Sequence, residues 1–287
     1  MKFKTVIFLF NVLMLCFIAA VFLAPLAALG TDLAGGFIRG IWFLFPLTLA
    51  VLGAVDLFFA ANYRIYTLLE KEDWPALVQV LEEKVLRKGR RSGRLVKLLA
   101  AAYLVLSDPR SVTALEQKLA VSGKRLLRRD ALLFGAARIL AGDPGGAAAF
   151  FASLSGNVSG ESGSKKSSEK SSGGGSEWIR WYGGFSLLLA RRFEEASGAF
   201  ILLAREGRDG VLAALSSYFL AESLPGFLPR RAGELRDAAA AGKDRVRRIL
   251  RTRADWDREV RRVETEVHAA VLASYLNRAA DYLYRDR

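Results

Sequence analysis

The chain opens on two apolar runs, Val6 to Leu29 and Ile41 to Ala61, separated by a glycine-rich link from Gly30 to Gly40. Each run is long enough to cross a bilayer core of about 30 Å at about 1.5 Å per helical residue. The pattern therefore predicts two spans, over residues 6–29 and 41–61, forming a membrane hairpin across residues 1–62. After Asn62 the rhythm changes. Apolar residues recur at helical steps, as in Leu77, Leu81 and Val85, and turn signals at Glu72-Asp73-Trp74-Pro75, Ser107-Asp108-Pro109 and Gly142-Asp143-Pro144 cut the chain into short helices. Helix pairs are expected over residues 63–154 as a first lobe and over residues 177–287 as a second. The second lobe ends in a long amphipathic helix, or two in tandem broken near Thr252 to Asp255, through Val246, Trp256, Val260 and Val267, that caps the last pair. Strand signals are poor, and the expected fold class is all-α.

Between the lobes, Ser155 to Ser176 reads SGNVSGESGSKKSSEKSSGGGS, and 15 of its 22 residues are Ser or Gly. Such a stretch has too little apolar area to offset the entropy of ordering, so it is expected to be a flexible tether.

The segment Trp178 to Ala204, WIRWYGGFSLLLARRFEEASGAFILLA, reads as a close-crossing helical hairpin, with Gly184, Ala190 and Ala196 at the contact and Phe200 one turn beyond Ala196. Gly184, Phe193, Ala196 and Phe200 stand at the spacing of tetratricopeptide repeats, and the segment resembles a divergent member of that family. Trp181 is one residue closer to Gly184 than that pattern has it, a Gly replaces the usual Leu, and the terminal Pro is missing. Gly135, Ala147 and Phe151 repeat the intervals of Gly184, Ala196 and Phe200. Aligning Leu77, Leu115, Ala147 and Ala196 gives spacings of 38, 32 and 49 residues, the last containing the Ser/Gly insertion. The resemblance implies an α-solenoid of antiparallel pairs that acts as a protein-binding surface, hence a scaffold or adaptor with a protein partner.

Charge sets the expected orientation. Lys2 and Lys4 precede the first run, the link holds only Arg39, and a dense basic stretch follows the second run, which the positive-inside bias reads as both termini in the cytoplasm. Beyond residue 62 the chain carries 39 basic and 27 acidic residues. The densest patch, Lys84, Arg87, Lys88, Arg90, Arg91, Arg94 and Lys97, is expected to face a membrane surface with anionic headgroups. A membrane-tethered nucleic-acid binder is the runner-up for the charge, but no nucleic-acid motif supports it.

The chemical inventory argues against catalysis. There is no phosphate loop, dinucleotide turn or zinc-protease motif, and the adjacent carboxylates Glu82-Glu83 and Glu194-Glu195 cannot both converge on one bond. A single cysteine, Cys16, and a single histidine, His268, exclude a disulfide framework and leave no basis for a metal site, so no catalytic, cofactor or metal residue is assigned. Asp56 lies in the second apolar run; an accessory role in a transporter or channel would rest on it, whereas a position near the interface lets it reach water or a headgroup amine. Ala20, Ala24 and Ala28, with Ala50 and Ala54, are expected to seam the two spans together, and Pro25 and Pro46 to bend them.

Overall fold

The computed structural model describes residues 5, 8–21, 23, 40, 43–89, 92–120, 129–159, 173–264 and 271–285. Every regular element among them is helical. The link over 30–39, the residues Ala24, Pro25 and Ala28, the patch members Arg90 and Arg91, residues 160–172 of the Ser/Gly stretch, and His268 lie outside the described residues. The chain divides into two compact units, Met1–Arg90 and Arg91–Arg287.

The first unit holds α1 (Phe8–Val21), α2 (Leu44–Glu70) and α3 (Trp74–Glu82), and α3 runs on through a wider π-type turn at Glu83–Arg87. Among the described residues, one helix is long and apolar enough to cross a membrane, the Pro46–Glu70 stretch of α2; α1 is apolar but shorter. α2 does not break where the polarity changes at Asn62. It continues to Glu70, so Tyr63 to Glu70, placed by the sequence in the first lobe, is the polar end of the apolar helix. The seam expected of Ala50 and Ala54 is corrected too: both are exposed. The half-buried side of α2 is instead Thr48, Leu52, Val55, Asp56 and Phe59, and that of α1 is Asn11, Met14, Ile18 and Val21. Asn11 Nδ2 donates to Asp56 Oδ1 at 3.1 Å, joining these two faces. Ile65, nine residues after Asp56 and so half a revolution round α2, is buried with Leu77, Leu81 and Val85 of the returning segment. A hydrogen bond between a carboxylate and an amide is directional, and here it selects a different face from the one small-residue packing would select.

The second unit contains α4 (Gly93–Val105), α5 (Pro109–Ala120), α6 (Ala131–Leu140), α7 (Pro144–Ser159), α8 (Gly173–Leu189) and α9 (Phe193–Glu206). It continues with α10 (Gly210–Tyr218, extended through Phe227), α11 (Ala232–Ile249), α12 (Arg253–Glu264) and α13 (Ala273–Tyr284). Helix extends to residue 159 and resumes at residue 173, shortening both ends of the stretch expected as a tether. Helices adjacent in sequence pack together from α4 to α11, and α4 with α6 and α6 with α8 also touch. The core is centred on Phe151, Trp181, Tyr182, Phe185, Phe200 and Phe219, all almost wholly buried. Trp181 stacks on Phe185 with centroids 5.1 Å apart, and Phe200 on Phe219 at 5.4 Å.

Four turns are built alike. Glu72, Ser107, Gly142 and Arg191 have positive φ, between 54° and 80°. In each turn the residue after it donates its N–H to the carbonyl five residues back: Asp73 to Leu68, Asp108 to Tyr103, Asp143 to Arg138 and Arg192 to Leu187, at 2.9–3.0 Å. The positive-φ residue itself donates three residues back, which completes a Schellman motif and satisfies the orphan carbonyls of the first helix. The turn positions are separated by 35, 35 and 49 residues. Five residues after each turn stand Leu77, Val112, Ala147 and Ala196; nine after stand Leu81, Glu116, Phe151 and Phe200; seven before stand Ile65, Ala100, Gly135 and Gly184. All twelve are buried. This register replaces Leu115 by Val112 in the alignment and turns the spacings of 38 and 32 into two of 35. Val112 and Leu115 are both buried on one helix face; the backbone turn distinguishes them.

Candidate functional site

The packing residues named from sequence come together in two equivalent hairpins. Ala147 and Phe151 of α7 and Ala196 and Phe200 of α9 are fully buried, Gly135 and Gly184 are buried, and Phe193 is half-buried. A Cβ on Gly135 would land in the Phe151 ring, and one on Gly184 would meet Ala199 Cβ at 3.0 Å and the Phe200 ring at 3.3 Å. Any larger residue would wedge these helices apart. Phe193 stacks on the exposed Phe227 with centroids 4.2 Å apart. On α5 the equivalent position makes an ionic contact with the next pair. Glu116 takes the slot of Phe151 and Phe200, and Arg138 reaches it with Nε and Nη2, both at 2.9 Å, while its guanidinium carbon lies 5.4 Å from the centre of the Phe150 ring.

The second unit holds a cleft of about 450 Å³. Its walls come from α4 (Lys97), the entry to α6 (Arg129, Asp130, Leu132, Leu133), α8 (Trp178), the start of α10 (Asp209) and α12 (Glu259, Arg262, Val263). Helices that open successive pairs thus share one concavity, with α12 closing it. Asp209 is fixed by its own helix: Oδ1 accepts from the N–H groups of Val211 and Leu212 at 2.9 and 3.1 Å, and Trp178 Nε1 donates to Oδ2 at 3.1 Å. The Glu177 carboxylate holds the preceding loop, accepting from the N–H groups of Arg208 and Asp209 at 3.0 Å. Burial pushes the Asp209 carboxyl above its ordinary value, against those three donors, and Glu177 adds to the rise. Asp130 is also raised by burial, opposed by Arg129 and Lys97, and its Oδ2 is buried with no hydrogen-bond partner. Glu259 pairs with Arg262 at 3.1 Å. Two raised carboxylates, an indole and apolar walls beside three cations make a surface suited to a polar chain segment with an apolar side.

The basic run divides at the boundary between the units. Lys84, Arg87 and Lys88 belong to the first, where Lys84 Nζ donates to the Ala61 carbonyl at 3.2 Å and Lys88 pairs with Glu83 at 2.8 Å. Arg94 and Lys97 are exposed in the second, with Lys97 at the cleft. The adjacent glutamates are engaged separately: Glu194 by Arg231 and Glu195 by Arg192. Among the described residues, no three His, Cys, Asp or Glu side chains converge as a metal site. Cys16 is exposed on α1.

Sequence reading passed over Trp178 as a cleft wall, together with Asp130, Asp209 and Glu116. Asp209-Gly210 before the apolar run of α10 carries an N-cap signature and could have located Asp209. Nothing local marks the other three, because their roles depend on helices 22 or more residues away.

A family described as "Uncharacterised Treponema protein" matches residues 111–285, most of the chain. The chain belongs to this family. A relative from Treponema pallidum (strain Nichols), described as "Uncharacterized protein", is 30% identical over 234 residues, spanning 80% of this chain and 69% of its own length. No solved structure matches the chain. The family match runs from α5 through α13 and takes in every cleft residue except Lys97.

Proposed function

We propose that this protein is a membrane-anchored scaffold: the N-terminal helices form a two-span hairpin, both termini are cytoplasmic, and a tetratricopeptide-like array offers the cleft around Trp178 to a protein partner. The observation that carries the reading is the recurrence of one turn motif at intervals of 35, 35 and 49 residues, the last containing the Ser/Gly insertion, with the same three slots buried each time. Units of that size bury their faces only against neighbours, and such arrays characteristically supply extended binding surfaces. The cleft adds a concavity with apolar walls and convergent polar groups, and its charges are held by capping and pairing rather than aligned on one reacting bond. Binding, not catalysis, is the role this supports. The length of α2 and the cations flanking the apolar runs support the anchor and its orientation.

A photoreactive amino acid placed at Leu132, in intact cells, tests the reading. A discrete protein adduct from Leu132, and none from the exposed position Arg236, is the expected result. Identical adduct patterns from both positions, or a C-terminal reporter active only outside the cell, would remove the scaffold assignment.

A further inference from the structure

The first unit carries a charged collar. α3 returns antiparallel to the polar end of α2, and the Lys84–Ala61 hydrogen bond fixes the level at which it ends, just where the apolar surface of α2 gives way to Asn62. The π-type turn closes with the Lys88 N–H donating to the Glu83 carbonyl at 2.9 Å, and Gly89, at φ 63°, stops the helix there. Arg87 and Lys88 are exposed at this level, and Arg64 is exposed on α2 about one turn beyond it. The fields of Lys88, Arg87 and Arg64 meet at one place. All three hold the Glu83 carboxyl below its ordinary range, with the Lys88 hydrogen bond first among the causes. Lys88 pairs directly with Glu83, and at this level Arg64, Lys84, Arg87 and Lys88 stand against Glu82 and Glu83, so the local charge stays positive. Asp56, the nearby intramembrane acid, lies more than two turns before Arg64 on α2 and is bonded to Asn11, so it does not neutralise them. Tyr63, 37% exposed one residue before Arg64, adds the amphipathic ring expected at headgroup depth.

We propose that Arg64, Arg87 and Lys88 form a binding site for the phosphate headgroup of an anionic phospholipid, seated where α2 leaves the bilayer. The site rests on the reading of α2 as a membrane span. It sharpens that reading, because the cations are carried by a helix pair continuous with the span, and a headgroup bound there fixes the depth of the whole unit. The guanidinium groups supply forked donors to phosphate oxygens and Lys88 a point charge that Glu83 yields on binding.

The test uses the full-length chain reconstituted into phosphatidylcholine vesicles containing phosphatidylglycerol. Alkaline extraction scores insertion, and the lipid retained after detergent extraction scores the site. In the triple variant Arg64→Gln/Arg87→Gln/Lys88→Gln, phosphatidylglycerol enrichment should fall by about fivefold for each cation that contacts the headgroup, with insertion intact. The charge-preserving variant Arg64→Lys/Arg87→Lys/Lys88→Arg should retain most of it, as should a chain losing the same charge at Arg180, Arg236 and Arg258. Unchanged enrichment in an inserted triple variant overturns the proposal, and so does an equal loss from the Arg180, Arg236 and Arg258 variant. Displacement of the lipid by inorganic phosphate would make this a free-anion site and overturn the lipid assignment. Failure of the parent chain to insert overturns the membrane reading itself, and the extraction assay reports that separately.

Discussion

Two slots of the second unit share a repeat position and differ in chemistry. Nine residues after the turn at Arg191, Phe200 is fully buried among Trp181, Phe219 and the Gly184 backbone. Nine residues after the turn at Ser107, Glu116 is almost as buried and is held by the Arg138 fork from the next helix pair. The turn geometry determines where the slot is; the neighbouring helix determines what can fill it. An aromatic ring suits a slot lined by glycine and other rings, whereas a carboxylate is tolerable only where a guanidinium reaches it with both oxygens satisfied.

The largest effect should come from emptying the aromatic slot. Phe200→Ala is expected to cost about 3–5 kcal/mol in chemical unfolding of the intact chain, since the ring is buried on every side and the close helix crossing cannot collapse around the void. A loss under about 1 kcal/mol would mean that the two slots differ less than their burial suggests. Breaking the ionic slot comes next. Arg138→Met leaves Glu116 buried without its partner and should cost about 3 kcal/mol, while Glu116→Leu/Arg138→Met together should recover most of that loss, because it removes the charge that needed pairing. If the double variant is no more stable than the single one, the ion pair is not what the slot depends on.

The turns sharpen the comparison from the backbone side. Gly142 adopts positive φ freely, but Arg191 occupies the same region at a conformational cost. Arg191→Gly is expected to stabilise by about 0.5–1 kcal/mol, read as a raised melting temperature, and Gly142→Ala to destabilise by about the same amount. The smallest effect is at the cleft. The Asp130 carboxyl is raised in the folded chain by burial, so its favourable contribution is complete below the ordinary Asp range and is lost as pH climbs through the raised value. Asp130→Asn should therefore flatten the decline in stability that sets in as pH climbs above the ordinary Asp range, tracked by denaturant midpoints, and parallel curves for the two proteins would exclude that carboxyl as its source.

Much of this fold is legible in the chain. The 3.6-residue rhythm and the scarcity of strand signals determine helices throughout, since an amphipathic helix needs only a local apolar stripe to declare itself. Asp73, Asp108 and Asp143 stand 35 residues apart and each caps the helix after its turn, accepting from the N–H groups of Ala76, Ser111 and Gly146, so the repeat length itself was readable from capping residues. Tertiary structure decided what depends on a distant partner. Val112 rather than Leu115 is the repeat position because a turn fixes phase and periodicity does not. Glu116 is interior because Arg138 arrives from another helix, and Asp56 selects the packed side of α2 because Asn11 lies opposite it. The cleft at Trp178 exists only once helices from α4 to α12 have been brought together. Local patterns encode the energy of one element against solvent, whereas a buried polar group is stable only through a second element, and a single stretch of sequence holds no record of which element that will be.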